Sequence, residues 1–526
     1  MGVITSAPDP VIIELKEIKS SKERYTLDSQ DFNRDLKWIT KAGEALARNK
    51  KIKSIVFKLF LVDAKNEKLS NAIARSLMRM ENVTFYGAGL DFFELPKWAL
   101  YWKIAKVESL SIKFCFSDKA FELFCKGIEA NMYIKELSFK YYDVAQLNRL
   151  EKALTINKAL KTLNICFDPR PTTPEEAENS NEGTSYAPST AQSAISHNYL
   201  LYQNESITTY SLSGYLESYT SALIVGLSKN NCINKLILDS LDLDREAGQY
   251  WNQMFMTNTS ISEIEIKRGF NTITAMIIFQ TLRRNKGVKV LKLHECSFLE
   301  AGYAIFKNLL QENSTLQSIE IKEMLHIRTD PVTQTKNLVH VIEGLASNSS
   351  IKEACIAIHK SALNLDPEVT QYKGEELRQS LYRLFSQNSS INILKIENIR
   401  LGKEEYKAIA EGLAENRTIS ILSLSGNLIE WKDLEMILIS IRNNENLASL
   451  DISSNKIYPW NDLCNQRGVE FANESLNYMG NVFSLLASSK LKNIKVIAWF
   501  WESRKYPEII ADVLFSAKQV INSNNR

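Results

Sequence analysis

The chain has 526 residues, 44% hydrophobic and 24% charged, and its 64 basic and 61 acidic residues leave a formal net charge of +3 at pH 7. That near balance argues against a dedicated nucleic-acid binder, which a strong basic excess would mark, and the apolar content argues against global disorder. No window reaches about 18 consecutive apolar residues, so no membrane-spanning helix is expected, and Val11-Ile-Ile is too short an apolar core for a secretory signal.

One wording recurs along the chain. Each copy opens on a residue, usually Asn, that we number 0; apolar residues follow at +3, +6 and +8. Residues 1–48 precede it and read as an N-terminal cap, with a strand-like Val11–Ile18 and a helix through Leu36, Ile39, Ala45 and Leu46. Asn49 then opens the N-terminal repeats, 49–167, with Ile52, Ile55 and Phe57 in the apolar slots. The slots are next filled by Met80, Val83 and Phe85, by Val107, Leu110 and Ile112, by Ile134, Leu137 and Phe139, and by Leu160, Leu163 and Ile165.

Residues 168–190 break the period. They are rich in Pro and acidic residues and poor in large apolar ones, so they cannot bury enough surface to offset ordering entropy and are expected to be a disordered insertion. A tolerated surface loop and a regulatory or partner-binding segment both fit. The wording returns over 191–457, from Asn204 through Asn230, Asn258, Asn285, Asn313, Asn348, Asn388, Asn416 and Asn444. Two units are longer, with extra residues near His326–Asn337 and His359–Glu375, after the strands. Residues 458–526 hold a degenerate last strand (Leu491, Ile494, Val496) and a C-terminal cap helix over Tyr506–Val520. The total is about fifteen strands plus one in the cap, each followed by a helix.

The two most regular copies are N-R-T-I-S-I-L-S-L-S-G-N-L-I from Asn416 and N-E-N-L-A-S-L-D-I-S-S-N-K-I from Asn444, with Asn427 and Asn455 at +11. One strand, a turn and a helix per 28 residues resembles a leucine-rich repeat of the long, ribonuclease-inhibitor type. The resemblance implies an α/β solenoid, a curved horseshoe with parallel strands on the concave side and helices on the convex side. It also implies that each unit buries its apolar face against its neighbours. At +11 such repeats accept Asn or Cys, which accounts for Cys115 and Cys296 among seven scattered Cys, none in a C-x-x-C pair. Unpaired cysteines of this kind favour a reducing, cytoplasmic setting.

Catalytic and cofactor signatures are missing from the wording. The five His show no metal-type spacing, and no phosphate-binding or nucleophile-elbow motif is present. No cofactor, metal site or enzymatic activity is expected. Cys166-Phe167-Asp168 matches the C-x-D of ubiquitin ligases carried by some bacterial leucine-rich-repeat effectors. In those proteins the motif lies in a separate helical domain after the repeats, whereas Cys166 is at +9 of an ordinary repeat strand.

Binding residues are easier to nominate. Positions +5, +7 and +9 alternate with the core slots and point to solvent. The +9 column includes Lys58, Tyr86, Lys113, Lys140, Lys267, His294 and Lys322, a basic stripe suited to an acidic protein partner. Aromatics expected at the rim are Phe114, Phe116, Tyr141, Tyr142, Tyr215 and Tyr219, and near the C-terminus Trp431, Trp460, Trp499 and Trp501. Met-Gly-Val-Ile-Thr-Ser at the start fits N-myristoylation at Gly2, which would recruit the chain weakly to membranes.

Proteins with such repeats include ribonuclease inhibitors, activators of the small GTPase Ran, innate immune receptors, and effectors that intracellular bacteria such as Legionella inject into host cells. The resemblance to the effectors implies a non-enzymatic module that grips a host protein in the host cytosol. The alternative is a regulator of a small GTPase, which would need Arg268, Asn398 or Arg400 on a strand-exit loop at the nucleotide.

Overall fold

A computed structural model describes residues 24–167, 203–357, 373–455 and 478–495, apart from a few short stretches within them. The expected cap strand at Val11–Ile18, the 168–190 insertion and the C-terminal helix lie outside the described residues. The chain divides into two units, Met1–Ile261 and Ser262–Arg526.

In the first unit the strands are β1 (Arg24–Asp28), β2 (Ser54–Phe60), β3 (Asn82–Ala88), β4 (Ser109–Lys113), β5 (Glu136–Tyr141), β6 (Thr162–Phe167), β7 (Thr209–Tyr215) and β8 (Lys235–Asp242). Each pairs in parallel with the next in chain order. Helices α1 (Leu36–Arg48), α2 (Glu67–Leu77), α3 (Lys97–Ile104), α4 (Asp118–Glu129), α5 (Val144–Ile156), α6 (Thr220–Lys229) and α7 (Arg245–Thr257) accompany them. The strand preceding β2 is Arg24–Asp28, which carries Tyr25 and Leu27 in the +6 and +8 slots. Its +3 slot holds Lys22, so the template does not reach it. Strand β6 pairs directly with β7, residue for residue from Thr162↔Thr209, so the ladder continues across the 168–190 insertion.

The second unit repeats the scheme with β9 (Glu263–Lys267), β10 (Val290–His294), β11 (Ser318–Lys322), β12 (Glu353–Ala357), β13 (Ile393–Glu397), β14 (Ile421–Ser423), β15 (Ser449–Asp451) and β16 (Asn493–Lys495). Its helices are α8 (Thr272–Leu282), α9 (Glu300–Glu312), α10 (Pro331–Ser347), α11 (Glu375–Gln387), α12 (Lys403–Glu415) and α13 (Trp431–Ile441). Part of the extra length near His326–Asn337 is therefore helix, since α10 begins at Pro331 and its Asn337 is buried.

The slots at +3, +6 and +8 are buried from Ile52 to Ile452, which confirms the register. Only the last strand departs from it: Ile494 is half-buried. Parity explains the core, because even positions of a strand share one face. The helices close over that face. Phe124 of α4 stacks on Phe139 of β5 with ring centroids 6.3 Å apart.

Asn at position 0 proves to be a hydrogen-bonding device that stitches repeats together. In the β13 repeat the amide of Asn388 donates to the carbonyls of Leu345 and Asn348, both at 2.8 Å, and its oxygen accepts from the Ser390 and Ile391 amides, both at 2.9 Å. The same pattern recurs at Asn131, Asn157, Asn258, Asn313, Asn348 and Asn444. A helix leaves its last carbonyls without intrahelical donors, and this side chain supplies them while turning the chain into the next strand.

The +11 slot behaves as expected. Asn455 donates to the carbonyls of Leu424 and Ile452 and accepts from the amides of Asn427 and Ile429. The Cys296 thiol faces the carbonyls of Ile266 and His294, and burial pushes its pKa up to about 12, so it serves as a structural donor. Cys115 lies outside the described residues.

Position +10, just before this slot, is left-handed in repeat after repeat: Ser240, Arg268, Glu295, Glu323, Asn398, Gly426 and Ser454 all have positive φ. The turn lets the +10 amide extend the ladder by one bond, as where Glu295 donates to the Lys322 carbonyl at 2.9 Å. A Cβ added at Gly426 would lie 2.1 Å from the Asn398 side-chain oxygen, at φ 73°. Gly426→Ala is expected to lower stability by about 1–3 kcal/mol, read from the urea midpoint. A change below a few tenths of a kcal/mol would show that this turn carries no constraint.

Candidate functional site

The odd positions of the strands form the other face of each sheet, half-buried or exposed at most of the described residues, and parallel pairing in register stacks them into columns. In the first unit the +9 column runs Lys58, Tyr86 and Lys113 across β2, β3 and β4, then Lys140, Cys166, Ser213 and Asp239 across β5 to β8. Lys113 sits 5.0 Å from the Tyr86 ring centroid and donates to its hydroxyl at 3.0 Å. A cation held over an aromatic face is favourable and keeps both groups oriented. The +7 column beside it is small and uncharged: Thr84, Ser111, Ser138, Asn164 and Ser211. Asn164 spans to β5, donating to Glu136 and to the Ser138 hydroxyl, both at 3.0 Å.

The second unit arranges its charge differently. Lys267 and Lys322 occupy +9 as expected, but each pairs with the glutamate two residues earlier on the same strand face, Lys267 with Glu265 at 2.8 Å and Lys322 with Glu320. His294, between them in register, has Nδ1 3.7 Å from Glu265 and Nε2 3.3 Å from Glu320. Lys292 reaches Glu263 of β9 at 2.9 Å. Three lysines and three glutamates thus form a checkerboard rather than a basic stripe. Burial acts to raise the Glu320 carboxyl, but the hydrogen bond and charge of Lys322, with His294 and Lys292, outweigh it and hold it below the ordinary range. The same bond raises the Lys322 ammonium. Further along the sheet, Ser423 of β14 donates to Glu397 of β13 at 2.7 Å, and the Ser425 and Ser453 hydroxyls meet at 3.0 Å.

The sequence reading followed only the +9 column and so missed Glu263, Glu265, Lys292 and Glu320. The signal was present, because the acidic residues sit at +5 and +7 on the same side of the pleat.

Several expected anchors are elsewhere. Phe114 and Phe116 are core residues: even parity continues past +8, and in an aromatic cluster Phe114 stacks on Phe93 at 5.4 Å while Phe116 meets it edge-on at 5.6 Å. Trp431 is buried as the first residue of α13, behind a cap in which Asp433 accepts from the Glu430 amide at 3.1 Å. Trp460, Trp499, Trp501 and Gly2 lie outside the described residues, as do the side chains of Lys140, Tyr141, Tyr142, Tyr215 and Tyr219. Of the nucleotide-site candidates, Arg268 is exposed, Asn398 half-buried, and Arg400 buried, which removes Arg400 from any surface role. Cys166 is half-buried in its column between Lys140 and Ser213, and Asp168 is outside the described residues.

No protein-family model matches this chain, and no curated protein matches it either. Among the described residues no cluster of His, Cys, Asp and Glu could hold a metal ion, and no helix is long and apolar enough to cross a membrane. What the open faces offer chemically is a grid of oriented charges and hydroxyls at strand spacing.

Proposed function

We propose that the chain is a non-enzymatic protein-binding module of the leucine-rich-repeat type, whose odd-position sheet faces form the binding wall. The observation that carries this reading is the ordering of the wall: its charged side chains are already held by one another, as in the Lys267–Glu265, Lys292–Glu263 and Lys322–Glu320 pairs. Groups fixed before association lose less entropy on binding, and an alternating pattern selects a partner of complementary charge. In the first unit Lys58 and Lys113 face an uncharged +7 column, which suits an acidic partner surface. In keeping with the effector resemblance, we place the partner among host proteins of the cytosol.

The test compares wild type with Lys113→Glu/Lys140→Glu in capture from eukaryotic lysate, followed by titration of the purified partner. These positions face no glutamate at +7 on their own strands, so reversal should leave folding intact. Affinity is expected to fall at least about tenfold, with a shallower dependence on salt. Equal affinity and equal salt dependence in a folded variant would remove the sheet face from recognition.

A further inference from the structure

A second surface lies on the edge where each helix returns to the next strand. At most repeats this edge is polar: in the Asn313 repeat the exposed residues are Gln311, Glu312, Ser314 and Gln317. Three consecutive repeats of the first unit differ. Leu100 and Ile104, one turn apart on α3, are 54% and 40% exposed; Met132 and Tyr133, following Asn131, are 76% and 47% exposed; Ile156, ending α5, is 56% exposed.

These residues are neighbours because the loops that carry them are bonded together. Asn131 donates to the carbonyls of Trp102 and Ala105, and Asn157 to those of Ile128 and Asn131. Lys106 sits 5.9 Å from the Tyr133 ring centroid.

Charge on the same edge is one-sided. From four residues before position 0 to four after it, these three repeats expose Lys103, Lys106, Lys135, Lys158 and Lys161 against Glu108 and Glu129. Lys158 also reaches onward, to Glu205 of the following repeat at 4.0 Å.

We propose that this edge is a peripheral docking surface for a negatively charged lipid bilayer. The apolar side chains stand on helix turns and loops with exposed lysines between them. A bilayer interface accepts that pattern: Leu, Ile and Met enter the acyl boundary, Tyr rests at headgroup level, and lysine stems lie along apolar surface with their ammonium groups at the phosphates. Each lysine near an anionic surface adds to binding, and salt weakens it.

The experiment is flotation of the full chain with vesicles of phosphatidylcholine, with or without phosphatidylserine. Wild type is expected to float with the anionic vesicles and not with the neutral ones. Ile104→Gln/Met132→Gln/Ile156→Gln and, separately, Lys103→Glu/Lys106→Glu/Lys158→Glu should each lower partitioning at least about tenfold with unchanged thermal midpoints. The sheet-face variant Lys113→Glu/Lys140→Glu should float as wild type, which separates this surface from the partner wall. Wild type remaining unbound with both vesicle types would overturn the proposal and leave the patch to a protein. Undiminished flotation of both folded edge variants would overturn it equally.

Discussion

Trp102→Ala is expected to destabilise the first unit by about 3–5 kcal/mol. Trp102 is fully buried on α3 at the centre of an aromatic cluster, with ring centroids 5.1 Å from Trp98, 5.5 Å from Phe93, 5.2 Å from Phe124 and 6.2 Å from Phe85. Four neighbours in two adjacent repeats would lose contact at once, and edge-to-face pairs add to the area term. The site cannot collapse easily, because α4 is already as close as it can come. A Cβ on Gly127 would lie 2.2 Å from the Trp102 Cβ and 2.8 Å from the Ala99 carbonyl. Since repeats are stabilised chiefly by their nearest neighbours, the loss should concentrate in the repeats flanking α3. Hydrogen exchange of the β3 and β4 amides, with the urea midpoint, measures it. A loss below about 1 kcal/mol would mean that the ring is not a packing centre.

Asn388→Ala should cost about 3 kcal/mol or more, for a different reason. The side chain is buried and serves four backbone groups: the carbonyls of Leu345, near the end of α10, and of Asn348, and two amides of its own repeat. Each buried group left without a partner costs about 1–3 kcal/mol, partly relieved where water enters the vacated space. Asn388→Asp separates the two halves of the device. It keeps the acceptor for Ser390 and Ile391 but turns a negative oxygen toward the Leu345 and Asn348 carbonyls, so it should be as damaging as Ala at neutral pH. An Asp variant with wild-type stability would show that the carbonyl bonds contribute nothing.

The repeat could be read from the chain because its determinants are local. Alternation fixes which residues of a strand face the helices, and Asn416 and Asn444 mark where each unit opens. Asn427 and Asn455 mark where the strand turns away. Those features placed the fifteen strands from β2 to β16 in register. Where local determinants are weak the reading missed: ahead of β1 the sequence has Lys22 where the template asks for an apolar +3 residue, and α10 extends into what read as loop.

The binding surfaces were less legible. Sequence alone put Lys267, His294 and Lys322 in one column, but whether that column is basic depends on Glu265 and Glu320 sharing its face at bonding distance. Likewise Phe114, Phe116 and Trp431 look like exposed anchors in a list of aromatics. The tertiary structure buries them, while Leu100, Ile104, Met132, Tyr133 and Ile156, ordinary core-type residues in the sequence, are left in solvent. The reason is that exposure belongs to pairs of elements. A residue's parity or helical phase says which way it points, and only the neighbouring repeat decides whether anything covers it. The left-handed turns at +10 teach the same lesson: Arg268, Glu295 and Glu323 carry no local mark of that conformation, and the ladder bond to the next strand holds them in it.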